Sequence, residues 1–291
     1  MNGVETAGPN AEQIEFWNSD GGANFVRHQT ALDGMLGPYG RKAMAAGGLK
    51  NGDVVLDIGC GCGDSSIEMS RRVGTTGEVV GVDISEVMLQ RAEDLAAHQE
   101  LTNVFFELAD VEVDSMHRDS FDLAFSRFGI MFFNDPVVAL RNVHKVLHDE
   151  GRLAFTCWQT LDKSPWIALQ MQSVLPLLAE EDRPAPADPN APGPFSFGDP
   201  DRLNKILTEA GFCNIQMEPY APSVALFGLK DMEEVLDFAL EVGPAKAFFA
   251  EMDKKTTATA RDAVRAAYQP YLTDEGVVME AAAWIVTADK T

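Results

Sequence analysis

The sequence predicts an α/β fold, a doubly wound and mainly parallel sheet of seven strands. Three observations point there. From residue 53 onward, short apolar runs alternate with stretches of helical periodicity, the pattern of successive βα units. The runs are apolar at consecutive positions, as strands covered on both faces require. Aspartates and glycines gather where the runs end, and in an open sheet of this kind ligands bind beyond the carboxyl ends of the strands.

Taken in order, residues 11–36 read as helices with polar breaks, with Phe25, Leu32 and Leu36 near helical spacing. A Gly/Pro turn is expected at 36–40. Val54 to Leu56 forms the first strand and Ser65 to Val73 a helix. Glu78 to Val82 forms the second strand. Ser85 caps a helix with Met88, Leu89, Ala92, Leu95 and Ala96 facing inward. Val104 to Leu108 and Phe121 to Phe125 are the third and fourth strands. Asn134 or Asp135 caps the next helix, with Pro136 in its first turn, and Arg152 to Thr156 is the fifth strand.

After residue 158 the alternation breaks. Pro165 to Ala179 reads as a helix that Pro176 kinks or ends. RPAPADPNAPGP, at 183–194, is a proline-rich loop. Asp199-Pro200 opens a helix and Gly211 closes it. Strands follow near 215–218 and over 281–287, with two or three helices across 231–272 between them.

The chain has 291 residues, 46% of them hydrophobic, enough for one large domain. It holds no apolar run of about 18 residues. MNGVETAGPNAEQIEF has neither the basic nor the apolar region of a signal peptide, so a cytoplasmic protein is expected. Asp and Glu number 45 against 23 Lys and Arg, a net charge of −22, which disfavours nucleic acid and anionic membranes as partners. Four cysteines argue against a disulfide framework, and Cys60-x-Cys62 lacks nearby partners for a metal; none is expected.

The chemistry lies at the strand ends. Beyond the first strand, Asp57 precedes Gly59, Gly61 and Gly63. A dinucleotide loop has one more residue before its third glycine, and Asp57 and Asp64 would repel a pyrophosphate. The acids suit a ligand that carries a cation, such as an ammonium group. Asp83, at the tip of the second strand, is placed for ribose hydroxyls. Asp110, at the third, is placed to accept from an adenine amine, with Ile84 and Val111 over the ring faces.

These stretches, VLDIGCGCG, VVGVDIS, ELADV, FDLAFSRFGIMFF and RNVHKVLHDEGRLAFTCW, resemble the class I S-adenosylmethionine-dependent methyltransferases across residues 45–160. Within that group the chain is most similar to the ubiquinone/menaquinone-type small-molecule enzymes. FGDPDRLNKILTEAGF and AAAWIVTADK resemble bacterial members less specifically. The resemblance implies a Rossmann-like methyltransferase fold, S-adenosyl-L-methionine as cofactor, and methyl transfer by in-line displacement. It implies a helical lid over residues 1–45, a cofactor-binding core over 46–160, and the rest of the sheet with helical cap insertions over 161–291.

By position, the resemblance implies that Gly59, Cys60, Gly61 and Gly63 make room for the methionine half of the cofactor, with Asp57 orienting their loop. Asp83 meets the ribose, and Ile84, Ala109, Asp110 and Val111 the adenine. Ser126 and Arg127 lie near the methionine end or the acceptor. The chain departs from the family at Cys62 and at Asp64, which is read first as a cap for the following helix. In the lid, NFVRHQ offers Arg27 to the cofactor carboxylate, His28 as a base and Gln29 to either ligand. Tyr39, in its turn, is expected at the substrate mouth.

Ser126-Arg127-Phe128-Gly129 lacks the Asn-Pro-Pro-Tyr-like stretch of enzymes that methylate nucleic-acid bases or glutamine. Together with the acidic surface, this points to a small-molecule acceptor. Phe128 and Trp158 suit one that is apolar or aromatic. Met131 and Phe132 read more readily as core, and Trp166 and Trp284 as packing. A nicotinamide-dependent oxidoreductase is disfavoured by the glycine spacing. The alternative is a cofactor-binding scaffold or sensor without catalysis. Valine at Gly59 or Gly61 is expected to abolish cofactor binding and leave the fold largely intact.

Overall fold

The computed structural model describes residues 8–114, 116, 120–178, 180, 183, 188, 190–241 and 252–290. Three N-terminal helices come first: α1 (Ala11–Trp17), α2 (Asp20–Arg27) and α3 (Gln29–Ala46). The alternating part follows as β1 (Val54–Ile58), α4 (Asp64–Val73), β2 (Glu78–Asp83), α5 (Glu86–His98), β3 (Val104–Leu108), β4 (Phe121–Arg127), α6 (Pro136–Val146) and β5 (Leu147–Trp158). Beyond it lie α7 (Pro165–Val174), α8 (Pro200–Ala210), β6 (Cys213–Tyr220), β7 (Ser223–Ala225), α9 (Met232–Glu241), α10 (Lys254–Tyr268), β8 (Leu272–Thr273), β9 (Gly276–Glu280) and β10 (Ala283–Asp289).

Seven strands form one sheet in the order β3-β2-β1-β4-β5-β10-β6. The first five in sequence are mutually parallel, and β10 runs antiparallel between β5 and β6. From β1 the chain leads outward to β2 and β3 on one side and to β4 and β5 on the other. A ligand crevice is expected where this reversal occurs. Register aligns the strand ends there: Ile58 lies opposite Val82, and Asp83 opposite Leu108.

Alternation along each strand feeds two cores. Val55 and Leu123 join Ala43, Met44, Ile67 and Val73 on the face covered by α3 and α4. Leu56 and Ala124 point to the other face, beneath Leu140 and Val143 of α6 and Leu207 of α8. The helices start where the sequence placed their caps. Ser85 Oγ accepts from the Met88 amide, Asp135 from Val137 and Val138, and Asp199 from Asp201 and Arg202. Gly211 ends α8 at φ 107°.

Several elements differ from expectation. α3 runs unbroken through Pro38, so the turn at 36–40 is absent. Leu36, Tyr39, Ala43 and Met44 are buried along this helix. Their burial, at roughly 1.5–3 kcal/mol for each large side chain, outweighs the roughly 3 kcal/mol that an internal proline costs. β4 extends to Arg127 and β5 begins at Leu147, because pairing with neighbours lengthens both beyond their apolar runs. Pro176 does end α7, in a short 3-10 turn over Leu175–Leu177. A second small sheet, β7-β9-β8, has strands of two to five residues, too short to show periodicity. Residues 184–187 and 189 of the proline-rich stretch, and 242–251 of the predicted helical region, lie outside the described residues. No helix among the described residues is long and apolar enough to cross a membrane.

Candidate active site

At the end of β1 the chain turns through three glycines with positive φ: Gly59 at 65°, Gly61 at 55° and Gly63 at 82°. Each is required for a different reason. A β-carbon on Gly59 would lie 2.8 Å from the Gly129 α-carbon. Ser126 holds these two loops together: its hydroxyl donates to the Ile58 carbonyl (2.7 Å) and accepts from the Gly129 amide (3.2 Å). A β-carbon on Gly63 would strike Ala92 at 2.8 Å and Phe106 at 3.0 Å. Gly61 alone of the three is open, with only the Met88 sulfur at 3.9 Å. Gly59 and Gly61 line the cavity described below, and Gly63 does not. Gly59 makes room for another strand's loop, and Gly63 for helix packing.

Asp83 fixes the open turn. One carboxylate oxygen accepts from the Gly61 amide (2.8 Å) and the other from the Ser85 amide (2.9 Å). Burial raises its pKa, against the pull of those amides. Asp57 lies beneath the loop, wholly buried. Its Oδ2 accepts from Ser65 and Ser66 Oγ at 2.7 and 2.6 Å, tying α4 to β1. Its Oδ1 finds no partner among the described residues. Burial pushes this carboxyl up to about 6, with the two serine hydroxyls opposing. Burial likewise raises the Cys60 thiol well above its ordinary value and the Cys62 thiol to about 12. Both stay protonated near neutrality and are poor nucleophiles.

Above the glycine turn is a cavity of about 670 Å³, within the range of roughly 300–1,000 Å³ usual for small-molecule sites. Gly59, Cys60, Gly61, Asp83, Ile84, Ala109, Asp110 and Val111 line it at the strand ends. Asp110 accepts from the Glu112 amide (3.0 Å) and from Asn10 Nδ2 (2.7 Å). Asn10 also donates to Glu112 Oε2 (3.2 Å) and accepts from the Asn134 amide (3.2 Å). Asn18 binds the Ile84 carbonyl and the Glu86 amide, so α1 is pinned over the tips of β2 and β3.

Gln29, Arg127, Phe128 and Trp158 line the cavity as the sequence suggested. Gln29 accepts from Arg91 Nε (2.9 Å). Arg127 is committed to two carboxylates, Asp33 at 2.8 Å and Asp64 at 2.7 Å. Burial alone would lower its pKa, but these acids hold it above the ordinary value. Asp64 therefore pairs with Arg127 instead of capping α4, whose cap position is Gly63. Phe128, at φ 61°, stacks on Trp158 with ring centroids 4.1 Å apart.

Other expected positions stand away from the cavity wall. Tyr39 is fully buried inside α3 and donates to the Ala281 carbonyl (2.6 Å), so it is core and not a substrate mouth. Ser126 and Asp57 lie behind the glycine turn. His28, between α2 and α3, packs edge-on against Phe238 with centroids 4.6 Å apart, and the exposed Arg27 ends α2. Neither lines the cavity.

Residues that the sequence did not single out also line the wall, among them Asn10, Asp33, Phe227 and Phe238. Met131, Phe132 and Trp166, read as core or packing, line it too. Asp33 sits four residues after Gln29 on α3, one turn along the same face, which was the available signal. The aromatic residues come from segments far apart in sequence, and no local pattern marks them.

A family profile described as a methyltransferase domain matches residues 49–211. The chain is 29% identical over 196 residues to the demethylmenaquinone methyltransferase of Staphylococcus aureus, covering 65% of this chain and 80% of that one. Among solved structures, the YcgJ protein of Bacillus subtilis superposes with a TM-score of 0.56 at 16% identity, over 87% of this chain and 97% of that one. A phosphoethanolamine N-methyltransferase 2 of Haemonchus contortus, in complex with S-adenosyl-L-methionine, gives 0.54 at 19% identity, over 86% and 52%. Both share the seven-stranded fold.

Proposed function

Given that the chain belongs to the methyltransferase-domain family, we propose that it carries the methyl group of S-adenosylmethionine to a small apolar or aromatic acceptor by in-line displacement. The observation that supports this reading is a single cavity with two unlike ends. Asp83, Asp110 and the open Gly61 line one end, and Phe128, Trp158 and Trp166 line the other.

The first end fits S-adenosylmethionine. Asp83 offers a carboxylate for ribose hydroxyls, Asp110 an acceptor for the adenine amine, and Ile84 and Val111 apolar cover for the ring. Gly61 leaves backbone open for the methionine half. When bound, that cofactor supplies a methyl group already activated by its sulfonium. The chain must then add alignment and exclusion of water, more than acid–base chemistry.

Alignment comes from the Asp83 bonds that fix Gly61 and from the Ser126 clasp between the two loops. Exclusion of water comes from α1 and α2, which act as a lid over the strand tips. Trp166, Phe227 and Phe238, which follow β5 in the chain, supply the acceptor cap. His28, turned onto Phe238, is assigned no proton transfer. The aromatic far end favours a ring-shaped acceptor, and one relative's name, demethylmenaquinone methyltransferase, points the same way.

The test is turnover of methyl-labelled S-adenosylmethionine with a panel of phenols, quinones, amines, thiols and carbon acids. Label transfer to aromatic members of the panel supports the reading. Cofactor binding without transfer to any of them would make the protein a scaffold or sensor instead.

A further inference from the structure

The two acids expected to meet a cationic ligand are both taken. Asp57 lies behind the glycine turn, Asp64 is paired with Arg127, and neither lines the cavity. Another acid stands on the wall in their place. Among the described residues four charged side chains line the cavity: Asp33, Arg127, Asp83 and Asp110. The last two sit at the tips of β2 and β3, where ribose and adenine would bind. Asp33, on α3, belongs to neither of those contacts.

Asp33 is held beside the glycine turn. Arg127 bridges it to Asp64, the residue after Gly63, with bonds of 2.8 and 2.7 Å. Asp33 is also the charge that the Cys62 thiol, one residue beyond the open Gly61, feels most strongly. Arg127 is in turn packed on α3: a β-carbon on Gly40 would stand 3.0 Å from its Cδ. Asp33 Oδ1 accepts from Arg127. Oδ2 has no comparable bond among the described residues, although the Gln29 side chain adds weaker support for the charge. Nor is Oδ2 sealed, as the orphaned Asp57 Oδ1 is, and one-fifth of the Asp33 side chain remains exposed. A carboxylate oxygen can accept two bonds, so capacity is left for a ligand.

The sign of the charge decides what kind of ligand. Asp33, Arg127 and Asp64 together carry one negative charge. A carboxylate arriving here would have to displace one of the two that Arg127 already holds. An ammonium group would bring the cluster to neutrality and donate a charge-assisted bond to the free oxygen. Burial raises the Asp33 carboxyl, with Arg127 opposing, so a second cation beside it favours the charged form further.

We propose that Asp33 binds the α-ammonium group of the cofactor's methionine half, through the carboxylate oxygen that Arg127 leaves free. The inference rests on the methyl-transfer reading for the identity of the cofactor.

The experiment measures equilibrium binding of three ligands. They are S-adenosylhomocysteine, its des-amino analogue with hydrogen in place of the ammonium, and methylthioadenosine, which keeps the nucleoside and lacks the amino acid. S-adenosylhomocysteine has no sulfonium charge, so its remaining cation is the ammonium. The wild type should favour it over the des-amino analogue by roughly ten- to a hundred-fold. Asp33→Asn, similar in shape and uncharged, should lose most of that preference while binding methylthioadenosine as the wild type does. An unchanged preference in the variant, or none in the wild type, overturns the proposal. A second readout needs no variant. Carbodiimide coupling of bound S-adenosylhomocysteine to the wild type should place the new amide on the tryptic peptide 28–41, whose only carboxylate side chain is Asp33. Coupling absent from that peptide overturns the proposal whether or not the variant folds. Failure of both S-adenosylhomocysteine and methylthioadenosine to bind the wild type would instead defeat the methyl-transfer reading, and this inference with it.

Discussion

Gly59 and Gly129 meet backbone to backbone: a β-carbon on the first would stand 2.8 Å from the α-carbon of the second. The Ile58 carbonyl and the Gly129 amide are bridged by the Ser126 hydroxyl at the same point. The loop after β1 and the loop after β4 are thus one assembly, and their glycines are not interchangeable.

Gly59→Ala should destabilise the protein by roughly 2–5 kcal/mol, from left-handed strain plus overpacking against Gly129. Gly61→Ala carries the strain alone, roughly 1–2 kcal/mol. Urea unfolding of the two variants checks the difference. Calorimetry with S-adenosylhomocysteine should show that Gly61→Ala loses affinity while still folded.

Asp57 should make stability fall as pH rises from about 4 to about 6. Its carboxyl is raised from 3.8 to about 6 in the folded protein, mainly by burial. The folded state therefore keeps a proton that the unfolded state releases, and this contribution is lost as pH climbs through the folded value. Two units correspond to roughly 2–3 kcal/mol. Asp57→Asn, neutral at every pH, should flatten this part of the profile and be neutral to stabilising at pH 7. Urea midpoints measured between pH 4 and 7 for both proteins decide it.

Arg127→Met should cost roughly 2–4 kcal/mol at pH 7, because it strips the cation from Asp33 and Asp64 in a mostly buried setting. Burial already raises the Asp33 carboxyl, so the loss should shrink as pH falls and the freed Asp33 takes up a proton. A penalty that stays constant down to pH 4 would show that packing, not charge, is what the arginine supplies.

Asn10→Ala removes the hydrogen bonds that join α1 to Asp110, Glu112 and Asn134. Release of S-adenosylhomocysteine should quicken roughly three- to ten-fold, measured by stopped-flow fluorescence. Loss of the lid's hold leaves the sheet intact, so the thermal midpoint should move far less than for Gly59→Ala.

What was legible in the sequence was whatever a strand imposes locally. Asp83 and Asp110 could be placed because each closes an apolar run whose end the register of β1, β2 and β3 brings to one edge. What stayed hidden depends on partners remote in the chain. The need for glycine at 59 comes from Gly129, and at 63 from Ala92 and Phe106. Pro38 looked like a turn because the burial of its helix neighbours is a tertiary effect. His28 looked like a base because Phe238, some 200 positions later, was out of view. Trp166 looked like packing because the cavity it borders is formed only in three dimensions.

The placement of β10 has a consequence for how the chain is made. This strand is flanked on both sides, by β5 and β6, although it is the latest of the sheet in chain order. Until residues 283–289 leave the ribosome, β5 and β6 each present an open edge. The nascent chain must therefore wait with two unpaired ladders, and contacts of such long sequence separation form slowly. Open edges recruit other strands, so a polypeptide stalled or cut before residue 283 should aggregate even with its glycine loop and strand-end acids complete.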